Sequence, residues 1–220
     1  AGKGSTPRGK LMMHTNGYIY GTTQLGGTNS QGCIFSYNPT GATTPTTNFK
    51  IYSFPAIPGT ATGIKPICGL TQASNGLLYG FAANGGANGF GTIFSCTATT
   101  NTATSFTPLH SFATATGYLP FPEFVQAPNG LLYAAASSGG ANSAGVIFSW
   151  NIAAPAYANL VDLDNATGYS PKSRLIVGSN GLLYGTTSAG GPNDAGSIYS
   201  FNPSTNVYAP VYYMNSNGWS

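Results

Sequence analysis

Residues 180–200 read NGLLYGTTSAGGPNDAGSIYS, and close copies of this stretch lie three times upstream, at residues 16–36, 75–95 and 129–149. Each copy opens with Asn-Gly, continues with an apolar run that ends in Tyr, passes through Gly-Gly-x-Asn and closes on Ile-Phe-Ser or Ile-Tyr-Ser. A period of roughly fifty residues is typical of repeat folds, in which each unit buries its apolar faces against its neighbours. The sequence therefore predicts four tandem units.

Each unit contains four short apolar segments, which we interpret as β-strands because no helical periodicity is visible. Asn-Gly is a strong signal for a two-residue hairpin turn, and we assign it to a type I′ turn between the first and second strands. The predicted fold class is all-β, a β-propeller of four four-stranded antiparallel blades. The first strands are expected at residues 10–15, 67–74, 121–127 and 174–179, and the fourth strands at residues 49–54, 108–112, 159–164 and 207–214.

A Gly-x-x-Pro segment precedes every Asn-Gly, and we interpret it as the connection between blades. Its prolines set the predicted boundaries of one propeller domain: a flexible arm at residues 1–6, then blades at residues 7–65, 66–119, 120–170 and 171–220. Every unit starts with its own first strand, so no blade shared between the two chain ends is visible. The ring therefore either closes within one chain or leaves edges that pair with other copies.

The composition predicts a folded chain with a nearly uncharged surface. Hydrophobic residues make up 41% and aromatic residues 13%, whereas charged residues make up only 5%. The aromatic content and the regular apolar runs argue against disorder. Surfaces of Thr, Ser, Asn, Gly and Tyr repel one another weakly, which favours association with other chains or with neutral, hydroxyl-rich ligands.

The same numbers exclude two classes of partner. A net charge of +3 lacks the dense Lys/Arg stripe of a nucleic-acid-binding protein. No apolar run has the length of roughly 20 residues that a membrane-spanning helix needs. A processed, exported chain could start in this way at Ala1, and so could a trimmed chain. We expect an extracellular location, secreted or at the cell surface. Cys33, Cys68 and Cys96 are either buried thiols or one disulfide and one free thiol.

The Asn-Gly-Leu-Leu-Tyr-Gly-Thr-Thr run, the Gly-Gly-x-Asn loop and the Ser-Phe pairs at 53–54 and 111–112 resemble the tandem repeats of the GloVer-type bacterial family. This resemblance covers nearly the whole chain. It implies an exported repeat protein with no established common activity, usually joined to a surface-anchoring tail that is not recognisable here. A weaker likeness to kelch repeats, which also carry a glycine pair after the second strand, supports blade architecture only.

One loop-rich face is the candidate ligand site. In an up-down blade the loop between strands two and three shares a face with the connection into the next blade, so we expect Gly-Gly-x-Asn and Gly-x-x-Pro to lie together. Such a face would be aromatic, amide-rich and mildly basic, which suits sugar rings or an anion. The alternatives are Asn side chains that cap their own loops and basic side chains that are only solvated. The predicted ligand-binding residues are Asn29, Asn88, Asn142, Asn193, Tyr118, Tyr169, Trp219, Arg8, Lys10 and Arg174.

Enzyme, cofactor and metal functions are not predicted. The acids are Glu123, Asp162, Asp164 and Asp194, and they offer no pair placed to straddle a glycosidic bond. His14 and His110 occupy non-equivalent repeat positions without visible triad or metal partners. Asp194 is a weak candidate for a cation ligand, because the other units carry Ser or Gly at that position.

The sequence favours a non-enzymatic extracellular repeat protein that binds carbohydrate or another cell-surface ligand through the loop face. The alternative is a structural subunit of an extracellular filament, sheath or surface layer, whose partners are copies of itself. The repeated Asn and aromatic positions favour the first function. The low charge and the absence of a shared blade favour the second.

Overall fold

A computed structural model describes residues 3–41, 48–55, 63–99 and 102–215. These residues form four antiparallel sheets in which the strands follow one another in chain order, so the prediction of four all-β, four-stranded units is confirmed. The chain divides into two compact units, which we call unit 1 (Ala1–Phe112) and unit 2 (Ala113–Ser220). Each unit contains two of the sheets, which we call blades.

Unit 1 contains the first two blades. Blade 1 consists of β1 (Gly4–Pro7), β2 (Met12–Met13), β3 (Ile19–Gly26), β4 (Cys33–Tyr37) and β5 (Phe49–Ser53). Blade 2 consists of β6 (Gly63–Pro66), β7 (Thr71–Gln72), β8 (Leu78–Gly85), β9 (Thr92–Thr99) and β10 (Thr102–Ser111). Because β1 and β2 both pair with β3, and β6 and β7 both pair with β8, each of these pairs is one interrupted first strand.

Unit 2 contains the other two blades. Blade 3 consists of a 3-10 turn (Thr114–Thr116), β11 (Tyr118–Gln126), β12 (Leu132–Ser138), β13 (Val146–Asn151) and β14 (Ala156–Asp162). Blade 4 consists of β15 (Tyr169–Pro171), β16 (Ile176–Val177), β17 (Leu183–Ala189), β18 (Ser197–Asn202) and β19 (Val207–Tyr213). In blade 3 the first strand is continuous, with a register shift between Phe121 and Val125.

The Gly-x-x-Pro segments are the start of each first strand, which corrects their interpretation as connections. Gly4 pairs with Gly26 of β3, so residues 4–6 belong to a sheet and not to a flexible arm, and each predicted blade boundary cuts through a strand. The residue before each proline has a left-handed φ, and proline lacks an N–H, so the pairing is interrupted there. These residues are Thr6 (φ 57°), Lys65 (58°), Leu119 (55°) and Ser170 (53°). Ala1 and Gly2 lie outside the described residues.

The Asn-Gly turns exist, but the type I′ prediction is wrong. In the first turn Gly17 has a φ of 85°, whereas Asn16 is absent from the non-glycine residues with positive φ. The Gly17 N–H donates to the His14 carbonyl at 2.9 Å, and the His14 N–H donates to the Tyr18 carbonyl at 2.9 Å. This pattern is a three-residue loop with a glycine bulge, which needs only one left-handed residue.

The core of unit 1 lies between its two blades. Phe54 at the end of blade 1 is fully buried and meets Phe94 of β9 edge to face, with ring centroids 5.6 Å apart. Phe106 of β10 packs on the same side chain at 4.9 Å. Cys33, Cys68 and Cys96 are buried free thiols, so the structure favours that alternative over a disulfide. Burial raises the pKa of Cys96 to about 12, which keeps this thiol protonated and unreactive.

The core of unit 2 likewise joins its two blades. Tyr133 of β12 and Phe201 of β18 pack with ring centroids 5.9 Å apart, and Tyr199 of β18 meets Tyr208 of β19 at 5.1 Å. The three buried side chains Tyr133, Tyr199 and Phe201 belong to one apolar cluster, against which Tyr208 packs. Each unit therefore has an apolar core to which both of its consecutive repeats contribute.

We expect Tyr199→Phe to raise the free energy of unfolding by about 1 kcal/mol. Tyr199 is fully buried, and its hydroxyl has no hydrogen-bond partner among the described residues. The other blades carry Phe35, Phe94 and Phe148 at this position, so a phenyl ring fits it. Urea denaturation would measure the change. Tyr208→Phe is the control, because the Tyr208 hydroxyl donates to the Thr167 carbonyl at 3.2 Å, and we expect that variant to be less stable.

Candidate functional site

The Asn of each Gly-Gly-x-Asn loop ties the loop to the end of the fourth strand. In blade 1 the Asn29 Nδ2 donates to the Phe54 carbonyl at 2.8 Å. The same bond recurs from Asn88 to Phe112 at 3.0 Å, from Asn142 to Leu163 at 3.0 Å and from Asn193 to Met214 at 3.1 Å. These amides therefore cap backbone, as the alternative expected, but each acceptor is the residue that directly follows the fourth strand and does not belong to the loop itself. Each Asn holds its loop in place.

A second bond, which the sequence analysis missed, fixes the residue before that Asn. The Thr28 N–H donates to the Ser53 hydroxyl at 2.9 Å, and the Ala87 N–H donates to the Ser111 hydroxyl at 3.0 Å. In blade 3 the acceptor is the carboxylate of Asp162, which receives the Ala141 N–H at 2.9 Å. The Ser-Phe pair that recurs in the sequence is the feature from which this hydrogen bond could have been predicted.

The loops also contact the first strands, as predicted from the up-down topology. The Gly27 N–H donates to the Lys3 carbonyl at 3.0 Å, next to β1 of the same blade. The following blade contacts the other end of the loop, because the Lys65 N–H donates to the Gln31 carbonyl at 2.9 Å. In unit 2 the Ser170 N–H makes the equivalent bond to the Ala144 carbonyl at 2.8 Å. Lys65 and Ser170 are the left-handed residues before Pro66 and Pro171. Each therefore donates its backbone N–H to the loop of the preceding blade.

Two of the predicted aromatic residues lie against these loops in unit 2. A β-carbon placed on Gly139 would lie 3.0 Å from the ring of Tyr118, and one on Gly190 would lie 2.9 Å from the ring of Tyr169. Both residues are half-buried. The equivalent positions of unit 1 hold Ser5 and Ile64, which makes the aromatic character specific to unit 2. Trp219 lies outside the described residues.

The predicted basic residues are exposed, and they divide between the units. Arg8 and Lys10 follow β1 in unit 1, whereas Arg174 follows β15 in unit 2. Unit 1 therefore carries Arg8 and Lys10 but no aromatic residue at the Gly-x-x-Pro position. Unit 2 carries Tyr118 and Tyr169 together with Arg174.

Three of the four acids accept hydrogen bonds from nearby backbone. Asp162 receives the Ala141 N–H described above. Asp164 accepts from both the hydroxyl and the N–H of Thr167 at 2.8 Å, and these bonds lower its pKa. Asp194 accepts the Gly190 N–H of its own loop at 2.8 Å. Each of these carboxylates therefore fixes nearby loop backbone.

The histidines occupy separate blades of unit 1. His14 is buried, its Nδ1 accepts the Asn16 N–H at 3.0 Å, and its Nε2 lies 3.4 Å from the Gly76 carbonyl. Burial lowers the pKa of His110, which favours its neutral form. Within the described part of the chain, no cluster of three His, Cys, Asp or Glu side chains could hold a metal ion. No described helix has the length and apolar character needed to span a membrane.

The Asn-Gly turns contain a side-chain clamp that the sequence analysis did not identify. Asn75 accepts the Leu77 N–H at 3.1 Å and donates through Nδ2 to the Tyr79 hydroxyl at 2.9 Å. The same Asn-to-Tyr bond occurs in the other three turns, from Asn16, Asn129 and Asn180 to Tyr20, Tyr133 and Tyr184. A Tyr follows the Asn by four residues in every copy, and this constant spacing could have predicted the bond.

Comparison with known proteins gives one family and a fold. The model of the Gloeobacter/Verrucomicrobia repeat matches residues 1–123 and 100–219, which together span almost the whole chain. No curated protein sequence matches this chain.

Among solved structures, a chain of a nidogen/laminin complex superposes with a TM-score of 0.58 at 13% identity, over 95% of this chain and 65% of that one. The extracellular domain of a protein assigned as a one-component system of B. thetaiotaomicron gives 0.58 at 12%, over 95% and 24%. An ulvan lyase bound to -[GlcA(1-4)Rha3S]- gives 0.58 at 15%, over 93% and 55%. The chain thus spans less than two thirds of each structure, and the matches confirm the β-propeller fold alone.

Proposed function

Because the chain belongs to the Gloeobacter/Verrucomicrobia repeat family, whose repeats here build a β-propeller, we propose that it is a non-enzymatic extracellular protein that binds carbohydrate through the loop face of unit 2. The proposed site comprises the loop at residues 139–145, the corresponding loop at residues 190–196, and the side chains Tyr118, Tyr169 and Arg174. Asn142 and Asn193 would hold these loops in the binding conformation.

The observation that carries this proposal is the placement of two half-buried tyrosine rings against glycine loops. Tyr118 packs on Gly139 and Tyr169 on Gly190, and neither residue is fully buried. Rigid, partly exposed tyrosines supply contact area for apolar faces such as those of sugar rings, at a small cost in side-chain entropy. Between them the tip of the first loop exposes Ala141, Asn142 and Ser143.

The chemistry of the remaining groups supports a binding function over catalysis. Asp162, Asp164 and Asp194 accept hydrogen bonds from loop backbone, and those to Asp164 lower its pKa, whereas a general acid needs a raised pKa. Burial raises the pKa of the Cys33 and Cys96 thiols, which disfavours nucleophilic chemistry there.

Two similar structures support the ligand class and the location. The ulvan lyase was solved with an acidic disaccharide, so a fold of this kind accommodates sugar chains. Another similar structure is an extracellular domain, and the nearly uncharged surface suits contact with hydroxyl-rich polymers.

The second candidate is a structural subunit of an extracellular filament, sheath or layer. It is favoured by the outer strand of blade 4, where Val207, Val211 and Tyr212 are 57%, 58% and 50% exposed. Apolar side chains on an edge strand promote pairing with another chain.

We expect Tyr118→Ala with Tyr169→Ala to weaken glycan binding at least tenfold, because stacking residues at the centre of a site carry most of the binding free energy. A glycan array followed by calorimetry on the best ligand would measure the loss. Tyr37→Ala is the control, since it removes an exposed tyrosine of unit 1, outside the proposed site.

Unchanged affinity in the double variant would contradict the proposed site. Assembly into long polymers that free sugar does not disperse, and that Tyr212→Ala abolishes, would favour the structural function instead.

A further inference from the structure

Charged side chains are divided unequally between the two units. Unit 1 has a formal charge of +5 and contains no Asp or Glu, whereas unit 2 has −2, which together give the +3 of the chain. The basic residues of unit 1 are Lys3, Arg8, Lys10, Lys50 and Lys65; unit 2 has Lys172 and Arg174 with Glu123, Asp162, Asp164 and Asp194. No carboxylate side chain of unit 1 compensates its cations, so its surface attracts anions.

Two of these lysines flank one loop. The loop at residues 26–32 is held at one end by the bond from the Gly27 N–H to the Lys3 carbonyl, and at the other by the bond from the Lys65 N–H to the Gln31 carbonyl. Lys3 is exposed and Lys65 is half-buried. Pro66 packs on the loop, since a β-carbon on Gly32 would lie 2.9 Å from its Cδ. The backbone that carries both ammonium groups is therefore fixed.

Two further cations flank the junction of blades 1 and 2. Gly9 lies directly against the backbone of blade 2, because a β-carbon there would be 2.4 Å from the Cys68 carbonyl carbon. The Thr22 hydroxyl donates to the Cys68 carbonyl at 2.7 Å and fixes the same segment. Arg8 and Lys10 stand on either side of this contact, and both are exposed. Lys50 lies on β5 at the opposite edge of blade 1.

We propose that Lys3, Arg8, Lys10 and Lys65 form a second binding site, in unit 1, for the carboxylate or sulfate groups of an acidic polysaccharide. The site is separate from the tyrosine site of unit 2, so it goes beyond the function proposed above. Arg8 supplies a planar pair of donors that matches a carboxylate or sulfate, and the lysines supply point charges.

A polysaccharide fits this surface better than the other polyanions. Four cations spread among Ser, Thr, Gly and Asn are too few for a nucleic acid, which needs a dense basic stripe. The acidic unit of a second copy has a net charge of only −2, whereas an acidic glycan repeats its charge along the chain. The hydroxyl and amide groups around the cations suit sugar hydroxyls.

Binding of matched polymers tests the proposal. The protein should bind dextran sulfate and polygalacturonate but not unsulfated dextran at this site, with an affinity that falls as NaCl rises. Arg8→Gln with Lys10→Gln should weaken dextran sulfate binding about tenfold, and Lys65→Gln about threefold, as measured by calorimetry.

The controls remove the same charges elsewhere. Lys50→Gln with Lys172→Gln removes two charges that lie outside both proposed sites, and should alter the affinity for dextran sulfate less than twofold. Lys10→Arg with Lys65→Arg, which keeps every charge and the donor pair of Arg8, should retain binding. Melting temperatures would confirm that every variant is folded.

Equal losses in test and control variants would overturn the proposal, because the attraction would then be diffuse. Unchanged affinity in the test variants would overturn it as well. Salt-sensitive self-association, measured by light scattering and abolished in the test variants, would also overturn the proposal, because the cations would then bind another copy of the chain and not a polysaccharide. Binding of neutral glycans that depends on Tyr118 and Tyr169 would survive each of these outcomes, so the two proposals fail separately.

Discussion

Gly63→Ala is expected to lower the free energy of unfolding by about 3 kcal/mol, enough to unfold a marginally stable chain. Gly63 opens β6 and lies against the buried side chains of two strands of its blade. A β-carbon there would lie 2.1 Å from the Thr92 Oγ1 and 2.4 Å from the Ala82 β-carbon. Neither neighbour can move without displacing β8 or β9, so the strand itself must shift.

Urea denaturation followed by circular dichroism would measure this loss. Gly76→Ala is the control, because nothing lies within 4 Å of a β-carbon there and only the positive φ of 80° opposes the substitution. We expect the control to lose about 1 kcal/mol. A Gly63 variant as stable as the Gly76 variant would mean that the close approach of β6 does not constrain this position.

Asn129→Ala is expected to lower the free energy of unfolding by about 2 kcal/mol, because several hydrogen bonds depend on this one amide. Its Oδ1 accepts the Leu131 N–H at 3.1 Å, and its Nδ2 donates to the Tyr133 hydroxyl at 2.8 Å. The same Nδ2 lies 3.4 Å from the Pro203 carbonyl of blade 4. Tyr133 is buried, so its hydroxyl would lose a partner that water cannot easily replace.

Thermal and urea unfolding of this variant would be compared with Asn84→Ala. Asn84 is exposed on β8, and we expect its replacement to change stability by less than about 0.5 kcal/mol. Equal stability of the two variants would show that the turn needs its glycine but not the clamp from Asn to Tyr.

The strands and turns of this chain were predictable from its sequence, whereas the role of the Gly-x-x-Pro segments was not. Four repeats, their four strands and the positions of their turns follow from periodicity and from glycine, and the structure confirms them. The assignment of Gly-x-x-Pro failed because proline usually marks a loop. Here the strand resumes after the proline, and the left-handed Lys65 and Ser170 bond to the preceding blade.

The candidate site was likewise predictable only in part. The proximity of Tyr118 to the Gly-Gly loop was predicted from up-down topology, and the structure has the ring on Gly139. The partner of Asn142 was not predictable, because the Leu163 carbonyl directly follows a strand of variable sequence. The position of every charged residue is visible in the sequence. The charge difference between the units became evident only because the structure divides the chain into two compact units near Phe112.

The sequence by itself determined the repeat, the strand order and the turn positions, since these depend on alternation and backbone φ within a few residues. Only the tertiary structure decided that the loop asparagines tie each loop to the end of the fourth strand, that Gly-x-x-Pro belongs to a sheet, and that the five cations without acidic neighbours lie in a different unit from Tyr118 and Tyr169. Those features depend on hydrogen bonds and close approaches between residues distant in the chain, which no local pattern encodes.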